Sequence, residues 1–177
     1  MNKIFNSPSS LVLIMALFFM PLVHAEKQDA TVKQIKGWAE YALPGSDNFK
    51  PLKPTTVLPD GSKVRTGKDA EVIINVVSGA AMRLDANTHV QLNDMEFEKV
   101  DNQVKKRKAR ISIDKGTASA LLKKDAPEQT DFRIETPQGS AAARGTFYGV
   151  SVVDGQTFIS VKEGKVGVTE KKKQGQN

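Results

Sequence analysis

The sequence predicts an all-β fold, and three features carry the prediction. Apolar and polar residues alternate one by one through several short runs, among them Ser62–Thr66, Arg110–Asp114 and Asp131–Glu135, which is the two-residue period of a half-buried strand. Glycines at 37, 61, 79, 116, 145 and 164 each open such a run, at spacings too uneven for a strict repeat array. Pro44, Pro51, Pro54 and Pro59 crowd a region where regular helix is excluded. A winding roll of short strands and a compact β-sandwich both fit this pattern.

Taken in order, the chain begins with a processing segment. Lys3 precedes an apolar run of 13 residues from Leu11 to Val23, and Val23-His24-Ala25 fits the small-residue rule for cleavage before Glu26. A spanning helix needs about 20 residues, so residues 1–25 read as a cleaved signal peptide, leaving no transmembrane span and a product exported from the cytoplasm. Cleavage leaves 152 of the 177 residues, and loss of Lys3 takes the formal net charge from +6 to +5. A chain of that size forms one domain that buries about 68–70% of its unfolded surface. There is no cysteine, so the fold relies on its core and thiol chemistry is excluded.

Residues 26–36 are polar and expected to fray, with an opening strand from Ile35 to Tyr41 that puts Trp38 and Tyr41 on opposite faces. The proline-rich stretch that follows reads as loop. Glu71–Val77 is nearly continuously apolar and rich in β-branched residues, as expected of a strand covered on both faces. Ser78-Gly79 and Asp85-Ala86-Asn87 turn the chain. Asp94, Glu96, Glu98 and Asp101 share one solvent-facing side of a strand, and the basic run Lys105–Arg110 behind them reads as an exposed loop or hairpin tip. From Ala118 to Lys124 a short helix competes with strand on propensity, and Gly116 ahead of it favours strand.

The strongest stretch runs from Asp131 to Thr169. Phe132 and Ile134 alternate with Asp131, Arg133 and Glu135; Thr136-Pro137-Gln138-Gly139 has the residues of a reverse turn, and Asp154-Gly155 those of a tight hairpin. The tail from Glu170 to Asn177 has no apolar residue and is expected to be disordered, leaving residues 26–169 as the domain.

Catalytic chemistry has few candidates. His24 leaves with the signal, and His89 lacks a nucleophile motif nearby, so no catalytic residue is assigned. One histidine and no cysteine make a transition-metal site improbable, and the spacing of Asp94, Glu96, Glu98 and Asp101 is not that of a calcium loop, so no metal or other cofactor is expected. The basic clusters at Lys105–Lys108 with Arg110, Lys123-Lys124 and Lys171–Lys173 serve solubility or an anionic envelope polymer; export argues against nucleic acid.

Three pieces of the strong stretch carry a resemblance: Phe132-Arg133-Ile134-Glu135-Thr136-Pro137-x-Gly139, then Arg144-Gly145-Thr146-x-x-x-Val150, then Val161-x-Glu163-Gly164-Lys165-Val166. In this order and spacing they resemble the signature of the FecR domain, a periplasmic β domain of signalling regulators. The similarity extends upstream to Leu58-Pro59-Asp60-Gly61-Ser62 and Gly79–Leu84. The resemblance implies a solenoid-like β roll rather than a sandwich. It also implies a non-enzymatic module that binds an envelope protein as adaptor or sensor, with a structural protein that binds peptidoglycan or another envelope polyanion as the alternative. Its motif residues are Pro137, Gly139, Arg144, Gly145, Thr146, Glu163 and Gly164, in structural or partner-contact roles. Arg144 either presents its guanidinium to a partner or holds a neighbouring turn, and the second role is favoured. Only ten residues precede Leu11, so direct control of a sigma factor by a domain ahead of it is not expected.

Overall fold

The computed structural model describes residues 26–171, which form β-strands joined by turns, without helix. The expected signal peptide and all but the first two residues of the expected tail lie outside the described residues. The strands are β1 (Glu26–Lys27), β2 (Ala30–Lys36), β3 (Ala39–Ala42), β4 (Lys50–Pro51), β5 (Val57–Leu58), β6 (Lys63–Thr66), β7 (Glu71–Val77), β8 (Ala80–Leu84), β9 (His89–Val100), β10 (Gln103–Leu122), β11 (Thr130–Glu135), β12 (Gly139–Ala143), β13 (Phe147–Val153), β14 (Gln156–Glu163) and β15 (Val166–Glu170). They form one curled, open sheet. All pairings are antiparallel except that of β10 with β11.

One strand organises the rest. β10 is 20 residues long, far from the short strands the sequence predicts, and it belongs to both halves of the sheet. Its first part lies between β9 and the parallel β11; from Gly116 onward it lies between β8 and β13. The change of neighbours coincides with a change of phase. Arg107, Ala109, Ile111 and Ile113 are buried before Gly116, whereas Ala118, Ala120 and Leu122 are buried after it, so the buried parity slips by one residue. An extra residue at a bulge does this, and here it keeps the apolar face inward as the strand bends. Gly116 is required at the bend. Its φ is +90°, and a Cβ would sit 2.4 Å from Thr88 Cα. Thr88, itself buried, fixes the corner by accepting from Thr117 N at 2.9 Å through its hydroxyl.

Around β10 the two halves share one core. Val90, Leu92, Ile111, Ile113, Phe132 and Ile134 from the first half join Ile74, Met82, Leu84, Ala120, Tyr148 and Val150 from the second. Phe132 and Ile134 are buried as their alternation predicts. Asp154-Gly155 makes the expected two-residue hairpin, with both φ angles positive at 50° and 72°.

Several expectations are corrected. Residues 30–36 are not frayed: Ala30 and Val32 are fully buried, and β2 pairs with both β7 and β5. The opening strand is broken at Gly37, so Trp38 lies exposed in the connection between β2 and β3. Up to Val76, β7 is covered on one face only, because Val72, Ile74 and Val76 are buried while Ile73 is half-buried and Asn75 exposed; Val77, past a register shift, is buried as well. Glu170 belongs to β15, where it pairs with Gly139.

The basic run is strand as well. The β9–β10 tip is instead Asp101-Asn102, both at positive φ. Behind it, Lys106 and Lys108 pair with Glu96, and Lys108 and Arg110 pair with Asp94, so acids on β9 hold bases on β10 in cross-strand register. The Lys106 hydrogen bond holds the Glu96 carboxyl below its ordinary value of 4.5; burial opposes this, and Lys108 assists. A depressed folded value means this pair stabilises the fold above about pH 4.5 and ceases to as the pH falls through the lowered folded value. Thermal melts between pH 7 and pH 3 should therefore show wild type more stable than Glu96→Gln at neutral pH, the gap closing on acidification.

Arg107 takes the opposite course and turns inward. Its side chain is 1% exposed, donating through Nε to the Ser78 carbonyl at 2.7 Å and through Nη1 to Asp125 at 3.0 Å and Thr130 Oγ1 at 3.3 Å. It ties β10 to the β7–β8 turn and to the loop between β10 and β11. Gly79 makes room for it, since a Cβ there would lie 2.3 Å from an Arg107 nitrogen.

Candidate functional site

The open side of the curled sheet lies between β14 and β15, each of which pairs with a neighbour on one edge only. Their separation follows from the chain. β14 continues the half-sheet of β10 and β13, then the chain crosses through Glu163–Lys165 to place β15 against β12 in the other half. At the opposite end Gln138 bridges the two. Its amide nitrogen donates to the Gly155 carbonyl at 2.5 Å, and Thr157 Oγ1 lies 2.5 Å from its amide oxygen and 2.9 Å from Thr136 Oγ1.

Between these ties lies a cleft of about 910 Å³. Thr136, Gln138, Ser140, Thr157 and Thr169 give it hydroxyls and amides; Ala141, Ile159 and Val168 give it an apolar floor. Among the described residues, Glu170 and Lys171 are the only charged side chains in its wall, and no histidine lines it. Such a wall can hydrogen-bond a backbone and seat small apolar side chains. Gly139 sits where β12 meets β15, and any side chain would strike the Thr169 carbonyl, a Cβ standing 2.2 Å from its oxygen. Pro137, exposed in the β11–β12 turn, and Gly139 thus both line the cleft.

The other motif residues gather at the far corner. Gly145 and Gly164 both have positive φ, at 69° and 91°, and a Cβ on Gly164 would lie 2.9 Å from Thr146 Oγ1. Thr146, buried, donates to the Lys165 carbonyl at 3.2 Å and accepts from Leu122 N at 3.0 Å through its own carbonyl. Glu163 pairs with Lys124, whose side chain covers Gly145. That ion pair holds the Glu163 carboxyl below its ordinary value. Gly145-Thr146 and Glu163-Gly164 therefore meet in space, binding the β12–β13 turn, the β14–β15 crossing and the end of β10 into one corner.

Arg144 stands outside it. Its guanidinium reaches Glu128 at 3.3 Å, with both side chains well exposed at 61% and 78%. An exposed pair of this kind contributes about 0–1 kcal/mol. Arg144→Ala should therefore move the melting temperature by no more than about 2–4 °C, readable by calorimetry, so that any large effect on partner capture would come from lost contact and not from unfolding.

Elsewhere, His89 lines a smaller hollow of about 160 Å³ with Phe49, Arg65 and Asp114. Burial, then Lys115 and Arg65, lower its pKa, so it is neutral at pH 7. Among the described residues no three metal-ligating side chains converge, and no helix is long and apolar enough to cross a membrane. Neither the cleft nor the buried Arg107 is legible in the sequence; the first depends on distant segments meeting, and the second sits in a run whose composition reads as surface.

No curated protein and no solved structure matches this chain. Residues 62–167 match the family model described as FecR protein, from the residue before β6 into β15, including every motif residue above. That span is more than half of the sequence, and the chain belongs to the FecR protein family.

Proposed function

We propose that this chain acts in the cell envelope, after export to the periplasm, as a non-enzymatic protein that binds another protein as an adaptor or sensor in signalling. Membership of a family of signalling regulators carries the reading. The cleft supports it, because amides, hydroxyls and a shallow apolar floor suit an extended segment of a protein partner. A polyanion-binding role draws less support. Of the basic run on β10, Lys106, Lys108 and Arg110 are paired with acids of β9 and Arg107 is buried, so little free charge remains there for a polymer.

The test is affinity capture of the tagged protein from cross-linked cells, washed at low and at high salt. A discrete protein retained at high salt, and lost with Val168→Lys in the cleft, supports the adaptor reading. Envelope polymer released by salt would replace it with electrostatic docking, since exposed charges are screened within about 8 Å at physiological ionic strength. Val168 is 60% exposed, so its replacement should leave the fold intact.

A further inference from the structure

The edges of this sheet are not equally protected. β4 and β5 are two residues each, with Pro51 inside the one and Pro59 directly after the other, and β15 is five residues with Gly167 inside it. Such edges pair poorly with another chain. β14 is the exception. It runs for eight residues, and Gln156-Thr157-Phe158-Ile159-Ser160-Val161 contains no charge, no proline and no glycine. Its backbone pairs on one side only, with β13, and among the described residues it makes no other main-chain bond.

Its side chains are also left half-covered. Thr157, Ile159 and Val161 stand opposite the buried Val152, Val150 and Tyr148, which fixes them on the inward face, yet Val161 is 48% exposed. Phe158, Ser160 and Lys162 point outward, and Phe158 is 55% exposed. A long, uncharged, apolar edge is a template for another strand.

We infer that β14 pairs antiparallel with β14 of a second copy of this chain, about a twofold axis through Ser160. The sequence of the edge is self-complementary in that register. Ser160 faces Ser160, and inward Ile159 faces inward Val161. Outward Phe158 faces Lys162, whose ammonium lies 5.1 Å from the Phe147 ring of its own chain and whose apolar stem is left to cover Phe158, and Thr157 faces Glu163, which keeps its own-chain partner Lys124. No like charges oppose one another. The contact is isologous and closes at two copies, joining the two β13–β14 half-sheets into one continuous sheet. Thr157 and Ile159 also line the cleft, so a second copy on β14 competes with an extended partner segment for this side of the sheet.

The test uses sedimentation velocity of the purified chain over a concentration series. Wild type should shift from monomer to dimer as concentration rises. Ser160→Lys and Ser160→Asp, each placing like charges opposite one another at the axis, should stay monomeric at concentrations where wild type is dimeric, with the melting temperature that wild type shows when dilute and monomeric, because Ser160 is on the outward face. Mixed together, the two variants should restore a dimer of one of each. Ser160→Cys should form an intermolecular disulfide under mild oxidation, in a chain with no other cysteine. A wild type monomeric throughout, or a dimer that survives both charge variants, would overturn the inference. So would failure of the mixed variants to associate.

Discussion

Replacing Arg107 by alanine should lower the melting temperature by roughly 6–12 °C, which corresponds to about 3 kcal/mol in a domain of this size. Three hydrogen bonds disappear together, and those from a charged donor contribute about 1.5–3 kcal/mol each before compensation. The Ser78 carbonyl and the Thr130 hydroxyl lose a buried donor, and the space beside Gly79 empties. Asp125 loses less, because its side chain is 48% exposed and water replaces the guanidinium. Asp125→Asn should accordingly cost under about 1 kcal/mol. Arg107→Lys should recover little of the loss, since one ammonium cannot reproduce the planar fork that reaches Ser78 through Nε and Asp125 through Nη1. Chemical denaturation of the four proteins measures the series. Equal losses for Arg107→Ala and Asp125→Asn would mean the ion pair, and not the Ser78 carbonyl and the buried Thr130 hydroxyl, holds the guanidinium in place.

Gly116→Ala should be comparably damaging, at about 2–5 kcal/mol, from two sources. A left-handed backbone costs an ordinary residue about 1–2 kcal/mol. Forcing a methyl against Thr88 Cα and the Asn87 carbonyl, at 2.4 and 2.8 Å, adds about 1–3 kcal/mol of overpacking. Gly155→Ala separates the two, because its φ of +72° carries the first cost while nothing lies within 4 Å to impose the second. The difference in unfolding free energy between the two variants is the strain at the bend. A difference near zero would show that Thr88 yields without cost.

Much of this fold is written locally. The alternation of Phe132 and Ile134, the turn at Thr136–Gly139 and the hairpin at Asp154-Gly155 are decided within a few residues, by side-chain parity and backbone sterics, and all three occur as read. What was illegible depends on partners far along the chain. Lys106, Lys108 and Arg110 look like a solvated basic cluster until β9 brings Asp94 and Glu96 alongside. Arg107 differs from them only in parity, and a buried arginine has no signature apart from the carbonyl, hydroxyl and carboxylate that receive it. The phase slip at Gly116 hides in the same way, because alternation on each side is regular and only the switch of neighbours gives the extra residue a purpose. The candidate site divides along this line. Its turns are visible in Thr-Pro-Gln-Gly and Glu-Gly, whereas the cleft exists because Gln138 meets Gly155 and Thr157 across the gap.

The single strand shared by both halves also governs how the molecule comes apart and assembles. Since β10 supplies hydrogen-bond partners to β9 and β11 through its first part and to β8 and β13 through its second, neither half keeps a central strand if the other lets go. Among the described residues, cutting between the halves would leave each without the strand its neighbours pair with. Its pairings are also widely separated in sequence, β2 closing on β7 and β10 on β13, so ordered structure requires loops to close before most contacts form. Such a topology favours slow, all-or-none folding over stepwise growth from either end.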